Sequence, residues 1–326
     1  NDTFRFTAKL MTSLRENYPN LISPLSFSRC IGGDIGKFRF GLWDKNDKAW
    51  LDLLESRYRI DTEKLSPEAT IPKIIHHIWL GPDPLPPIAQ TWIESWKAIN
   101  KDWEYRLWTD DDISNLNLIN QQAFDKAFNY GEKSDIVRYE ILHQYGGVYV
   151  DIDFECVQEL QNLVSMKKVG FIAGMSNVRA VEINNGFIAC VPSHPLLDIL
   201  ISGIRPSDSQ EKGKTKVAKL NVNSVLASML PPEEVHKLNI LDEKREPYNE
   251  AMDTISRTGP GYFTRSVFSF LAEIDVKADD VLILPPTVLY PVPNNVDCNT
   301  TKEEISYFIK PETVAVHHWT KTWTNK

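Results

Sequence analysis

Between residues 134 and 153 the chain changes its hydrophobic period. Val137, Ile141 and Tyr145 recur at helical spacing, with Leu142 beside Ile141, and Ser134 reads as an N-cap with Asp135 in the first turn. Gly146-Gly147 stops that helix. Val148-Tyr149-Val150 then reads as a short buried strand that runs into Asp151-Ile152-Asp153. On an extended backbone, residues two apart point the same way, so the two carboxylates converge.

The same reading orders the rest of the chain. Residues 1–68 form a helical N-terminal extension, with Phe6, Leu10 and Leu14 at helical spacing and a second helix around Trp50, Leu51 and Leu54. A polar connector leads into residues 69–326, the main domain. Residues 71–81 read as its first strand, with His76 and His77 on opposite faces and both structural, and Trp79 near its end. A helix over 88–100 carries Trp92, Ile93 and Trp96, and 104–108 is a second strand. Thr109 caps a short helix whose Asp110, Asp111 and Asp112 sit at its positive end, solvated and not ligands. Strand, helix, strand, helix predicts an α/β sheet. No Gly-X-Gly-X-X-Gly follows the first strand, so a dinucleotide fold is not expected. Strands are expected over 169–174, 182–190, 281–285 and 288–291, and a helix over 196–204. Residues 205–256 are charged and irregular and read as a helical insertion, a candidate acceptor-facing lid.

Composition narrows the function. The chain has 326 residues, 42% hydrophobic, with a formal net charge of -8. That acidity argues against nucleic acid as a partner. Four cysteines show no metal-type or paired spacing, and Cys156 and Cys190 sit in apolar contexts as buried thiols. No apolar run approaches a membrane span and no secretory signal is apparent, which leaves peripheral membrane contact through the N-terminal helices as the expected lipid contact, if any. The first residue is Asn1, so an anchor or targeting segment ahead of it stays open. Two glycosylation sequons, Asn1-Asp2-Thr3 and Asn299-Thr300-Thr301, matter only in a secretory compartment.

The paired acids carry the chemistry. Two carboxylates about 4 Å apart repel by roughly 4 kcal/mol at an effective dielectric of 20. A shared proton, a basic side chain or a divalent cation must offset that repulsion. Oxygen ligands at a rigid strand end suit Mg²⁺ or Mn²⁺, with phosphate oxygens completing the shell. Asp135 and Arg138 share one face of the preceding helix, so the same helix aims an acid and a counter-charge toward the pair.

Ser-Asp-Ile-Val-Arg-Tyr at 134–139, followed by Tyr-Gly-Gly-Val-Tyr-Val-Asp-Ile-Asp at 145–153, resembles the sugar-transfer families with an Asp-X-Asp motif. The likeness extends to fungal Golgi initiating mannosyltransferases, bacterial polysaccharide glycosyltransferases and the large clostridial glucosylating toxins. The resemblance implies a GT-A-type, Rossmann-like mixed sheet flanked by helices, and a metal-dependent, retaining glycosyltransferase that takes a hexose from a nucleotide sugar. It implies Asp153 as the direct Mn²⁺ (or Mg²⁺) ligand and Asp151 on the ribose or on the metal through water. Arg138 is implied as a counter-charge on the diphosphate and Asp135 as a partner of the sugar hydroxyls. Trp79 is implied as the platform for the base, a role that competes with plain core packing. Asn184 or Asn185 would line the sugar pocket, and Gly259, in Thr-Gly-Pro-Gly at 258–261, would allow close backbone approach near the donor. The tail His317-His318-Trp319-Thr320-Lys321-Thr322-Trp323 resembles the family's closing segment, which implies His318 as a metal ligand, Lys321 on the diphosphate and Trp323 at the substrate. On a strand, His317 and His318 face opposite sides, so only one meets the metal. A uridine donor, UDP-glucose or UDP-N-acetylglucosamine, is expected from the likeness to the toxins, with a protein hydroxyl or a glycan as acceptor. A bacterial cytoplasm or a host cell receiving a secreted effector is favoured over a Golgi lumen.

Two other readings fit part of the pattern. Haloacid-dehalogenase-type phosphohydrolases also run an apolar strand into Asp-X-Asp, but the residue two past the second acid is normally Thr or Val, and here it is Glu155. A non-catalytic nucleotide-sugar binding module on the same fold is the other.

Overall fold

The computed structural model describes residues 71–165, 169–178, 181–207, 250–273, 280–294 and 301–320, together with Phe27, Trp50, Leu51, Leu53, Leu54, Glu55 and Tyr58. In chain order the elements are β1 (Ile74–Ile78), α1 (Pro87–Ile99), β2 (Glu104–Trp108), α2 (Asp110–Ser114), α3 (Gln121–Asp125), α4 (Tyr130–Tyr145), β3 (Gly147–Val150), β4 (Phe154–Cys156) and α5 (Gln161–Val164). There follow β5 (Phe171–Met175), β6 (Ile183–Cys190), α6 (Pro195–Gly203), α7 (Glu250–Arg257), α8 (Pro260–Glu273), β7 (Val281–Leu284), α9 (Pro286–Leu289), α10 (Lys302–Ser306) and β8 (Ala315–His317).

Six strands form one mixed sheet in the order β2-β1-β3-β6-β5-β7, and β4 pairs with β8 in a separate ribbon. β1 runs parallel to both β2 and β3, whereas β6 is antiparallel to β3 and β5. This is the helix-flanked mixed α/β sheet expected from the sequence. One apolar cluster, under α4, α6 and α8, fills one face; the other gathers α1, α9 and the β4–β8 ribbon around residues such as Trp96, Phe154 and Tyr290. Because both faces are covered, β3 and β6 are buried at every position. Phe27, Trp50, Leu51 and Leu54 belong to the first cluster, and the Trp50 ring lies 4.1 Å from that of Phe268. The rest of the expected extension over 1–68, and 208–249 of the expected insertion, lie outside the described residues.

The turn from α4 into β3 decides where the acids go. Gly146 and Gly147 both have positive φ, at 61° and 91°. A Cβ at Gly147 would stand 2.6 Å from the Ile74 carbonyl oxygen, so only glycine lets β3 dock this tightly on β1. His76 then bridges the corner. Trp108 Nε1 donates to its Nδ1 at 3.1 Å, so Nε2 carries the proton and donates to the Gly146 carbonyl at 2.9 Å. Both histidines of β1 are buried.

Several elements differ from expectation. α4 starts at Tyr130, capped by the Asn129 side chain on Glu132 N–H, so Ser134 lies inside the helix. Residues 260–273 form a helix to which the sequence assigned no element, and 286–289 is a short helix with proline in its first turn that overlaps the strand expected over 288–291. Asp110 is not merely solvated: its carboxylate accepts from Gly81 N–H at 2.7 Å and pins the loop after β1.

Candidate functional site

β1 and β3 are parallel neighbours, and the chain leaves β1 for β2 on one side while β3 lies on the other. The crevice beyond their carboxyl ends is therefore a topological switch point, the usual ligand site of an open α/β sheet. Trp79 follows β1 there and Asp151 follows β3. Asp151, Ile152 and Asp153 do not continue the strand; they form a turn between β3 and β4. The turn is fixed by Asp151 N–H on the Gly186 carbonyl at 2.8 Å and His318 N–H on the Asp153 carbonyl at 2.9 Å. The carboxylates converge all the same: atoms of Asp151, Asp153 and His317 lie within 4.8 Å of one another.

His317 enters through the ribbon, where β8 pairs with β4 in the register Phe154↔His317. Its Nε2 stands 3.1 Å from Asp153 Oδ1, and Thr320 gives its backbone N–H and its hydroxyl to Oδ2 at 2.9 and 3.1 Å. The imidazole sits among the rings of Phe154, Trp319 and Tyr290. The expectation for His318 is corrected. That ring turns to the other side, stacks on Trp92 at 4.4 Å and meets Glu155 Oε2 at 3.1 Å. Register with β4 decides which histidine reaches the acids, and register was not visible in the sequence.

The two acids differ electrostatically. Burial would raise the Asp153 pKa, but His317 and the Thr320 donors outweigh it and hold the carboxyl well below its usual range. Burial raises Asp151, Asp153 adds to that shift, and Arg138 opposes it. Arg138 is shared: NH2 lies 3.0 Å from Asp135 Oδ1 and NH1 lies 3.1 Å from Asp151 Oδ1. NH1 also donates to the Asn185 carbonyl at 2.9 Å. Asp135 is buried, and burial lifts its carboxyl to about 6 against the pull of Arg138 and of hydrogen bonds from Thr258 and Asn185. Arg138 and Asp135 are thus tied to each other and to Asp151, not free to swing toward a ligand.

The other expected residues fall around this centre. Trp79 packs with Trp92 and Ile152 and donates Nε1–H to the Asp83 carbonyl at 2.7 Å. Asn184 accepts Gly186 N–H at 2.7 Å and donates to Ser176, while Asn185 donates to Asp135 at 2.8 Å and to Tyr139 OH at 3.0 Å. A Cβ at Gly259 would lie 3.3 Å from Asp135 Oδ2. Lys321 and Trp323 lie outside the described residues. Sequence reasoning passed over Gly186, where a Cβ would stand 2.6 Å from Asp151 Oδ2, and Thr258 and Tyr139, whose polar atoms close the pocket around Asp135. The Asn-Asn-Gly run gave the one available signal.

The donor set fits a divalent cation. It offers two carboxylates and an imidazole from a rigid turn and a paired ribbon, one carboxylate is held ionised, and the second is destabilised by its neighbour's charge. Among the described residues no helix is long and apolar enough to cross a membrane.

Residues 86–169 match the family described as glycosyltransferase sugar-binding region containing DXD motif. An uncharacterized glycosyltransferase of Acanthamoeba polyphaga mimivirus is 28% identical over 198 residues, which cover 55% of this chain and 78% of that protein. Inositol phosphoceramide mannosyltransferase 1 of Schizosaccharomyces pombe is 31% identical over 147 residues, covering 42% of this chain and 44% of that enzyme, so the chain spans less than half of this fungal relative. The solved PaToxG glycosyltransferase covers 72% of this chain and 80% of its own at 16% identity, with a TM-score of 0.41. Residues 86–169, which supply Asp135, Arg138, Asp151 and Asp153, thus match the DXD-containing sugar-binding region of glycosyltransferases.

Proposed function

We propose that the chain transfers a hexose from a nucleotide sugar, with Asp151, Asp153 and His317 holding Mn²⁺ or Mg²⁺. The observation that supports this is the convergence of those three side chains at the switch point, with Arg138 spanning Asp135 and Asp151 behind them. An imidazole in the set favours Mn²⁺ over the harder Mg²⁺. When bound, the ion neutralises the diphosphate and stabilises the charge that develops on it as it departs.

The chain's own residues do the rest. Asp153 and His317 fix the ligand positions, and Asp151 takes the ribose hydroxyl or reaches the ion through water. Arg138 keeps Asp151 ionised and lends positive charge to the diphosphate side. Asp135, with Asn184 and Asn185, orders the sugar hydroxyls, and Gly259 leaves room beside them. Trp79 offers its ring to the base. From the tail, Lys321 is assigned to the diphosphate and Trp323 to the substrate. Residues 69–326 form the catalytic domain, 1–68 a helical extension with peripheral membrane contact as its candidate role, and 205–256 an insertion facing the acceptor.

We favour a uridine donor, UDP-glucose or UDP-N-acetylglucosamine, transfer with retention, and a protein hydroxyl or a glycan as acceptor. The names of the fungal relatives favour mannose as a second reading. A bacterial or host-delivered setting gains no support from these fungal and viral relatives.

A screen of UDP-glucose, UDP-N-acetylglucosamine, UDP-galactose and GDP-mannose with Mn²⁺, reading released nucleoside diphosphate, tests the proposal. Turnover that Asp153→Ala abolishes is expected. Preference for GDP-mannose overturns the uridine choice alone. Inert nucleotide sugars with cleavage of simple phosphate esters would make the protein a hydrolase.

A further inference from the structure

Two consecutive residues at the end of α7 hold two acids one turn apart on α4. Arg257 NH2 lies 3.6 Å from Glu132 Oε1 and donates to Ser207 Oγ at 2.7 Å, and Ser207 Oγ in turn donates to Glu132 Oε1 at 2.8 Å. Glu132 is only 2% exposed, so this anchor is dry. Thr258, the next residue, has no exposed surface. Its hydroxyl donates to Asp135 Oδ2 at 2.8 Å, in preference to the Thr254 carbonyl at 3.3 Å. Its own carbonyl accepts from Tyr139 OH at 3.0 Å. Thr258 is thereby fixed at both ends before it meets the acid.

The partners of Asp135 divide unevenly between its oxygens. Asn185 Nδ2 and Arg138 NH2 both reach Oδ1, and among the described residues Thr258 is the donor on Oδ2. Without that donor, nothing described sets the carboxylate's rotation about its terminal bond except a crowded Oδ1. Arg138 uses its other amino group on Asp151, so a turn of the Asp135 carboxylate moves the guanidinium against the acid pair.

We propose that Thr258 is a positioning residue: its hydroxyl sets the orientation of the Asp135 carboxylate and, through the Asp135–Arg138 pair, the stance of Arg138 against Asp151. The link to sugar transfer rests on the function proposed above; the positioning itself does not. The charged and titratable groups that face Asp135 are Arg138 and Tyr139 from α4, with Asp151 beyond Arg138; Asn185 from β6 and Thr258 add neutral dipoles.

The test compares Thr258→Val, which keeps shape and loses the hydroxyl, with Thr258→Ser, which restores it. Carbon-13 NMR of labelled aspartate follows the Asp135 carboxyl, assigned by its loss in Asp135→Asn. The wild-type midpoint is expected near pH 6. In Thr258→Val it rises by on the order of one unit, because a bond to the charged form is lost, and Thr258→Ser brings it back. Donor turnover with Mn²⁺ falls in Thr258→Val by on the order of 100-fold in kcat. An unchanged midpoint in Thr258→Val, or one that Thr258→Ser fails to restore, overturns the proposal. If Thr258→Val does not fold, Thr258→Ala gives the same comparison. If the wild type turns over none of the four donors, the transfer reading fails and the NMR midpoint alone decides the positioning role.

Discussion

His317 Nε2 stands 3.1 Å from Asp153 Oδ1. Its neighbour His318 faces Glu155 and Trp92 instead. The two histidines thus predict opposite phenotypes. His317→Ala should weaken Mn²⁺ binding by on the order of 10- to 100-fold, measured by electron paramagnetic resonance of free Mn²⁺. His318→Ala should leave that affinity unchanged and lower the melting temperature, since it removes the stack that holds the β4–β8 ribbon to α1.

Arg138 carries a buried acid, Asp135, and a half-buried one, Asp151, at once. Arg138→Met leaves Asp135 and Asp151 without their counter-charge, and removing one partner of a buried pair typically costs about 3–5 kcal/mol. Urea denaturation should show a loss of that order. Arg138→Lys, with a single ammonium in place of the fork, should recover part of the stability and little of the activity.

Gly186 keeps the space beside Asp151. A Cβ there would lie 2.6 Å from Asp151 Oδ2 and 3.0 Å from Asn184 Oδ1. Gly186→Ala should cost about 1–3 kcal/mol as an overpacked core does and should also weaken Mn²⁺ binding, because the displaced group is the carboxylate itself. Calorimetry with and without Mn²⁺ separates the two losses.

His76 predicts an acid-sensitive fold. Burial lowers its pKa to about 4, and that of His77 to about 3. Below pH 6.5 the unfolded chain takes up protons that the folded one refuses, so stability falls as pH drops from about 6.5 toward 4. For His76 the loss by pH 4 is about 3 kcal/mol. Stability measured by urea at pH 7 and pH 5 should show the fall, and His76→Gln, neutral at both, should make it shallower.

Much of this arrangement was legible in the chain. The helix stop at Gly146-Gly147 and the strand over Glu104–Trp108 followed from local spacing; Asp151 and Asp153 converge as expected, but through a turn and not along an extended strand. What was missed was decided by tertiary packing. Residues 135–142 are buried on every side, so the apolar spacing of Val137, Ile141 and Tyr145 caught only one stripe of α4 and placed its start at Ser134 instead of Asn129. Residues 286–289 carry β-like apolar residues, yet Pro286 in the first turn and the bond from Tyr290 N–H to the Pro286 carbonyl make a short helix. The parity of His317 and His318 depends on pairing with β4, a contact across more than 160 residues that no local pattern encodes.

The central claim is that Asp151, Asp153 and His317 grip a divalent ion that carries the diphosphate. Anomalous scattering at the manganese edge, from crystals grown with Mn²⁺ and UDP, tests it directly. A peak at coordination distance, about 2.0–2.6 Å, from Asp153 and His317 with the diphosphate on its open side is the predicted result. A peak elsewhere, or a diphosphate bound away from that cluster, would contradict it.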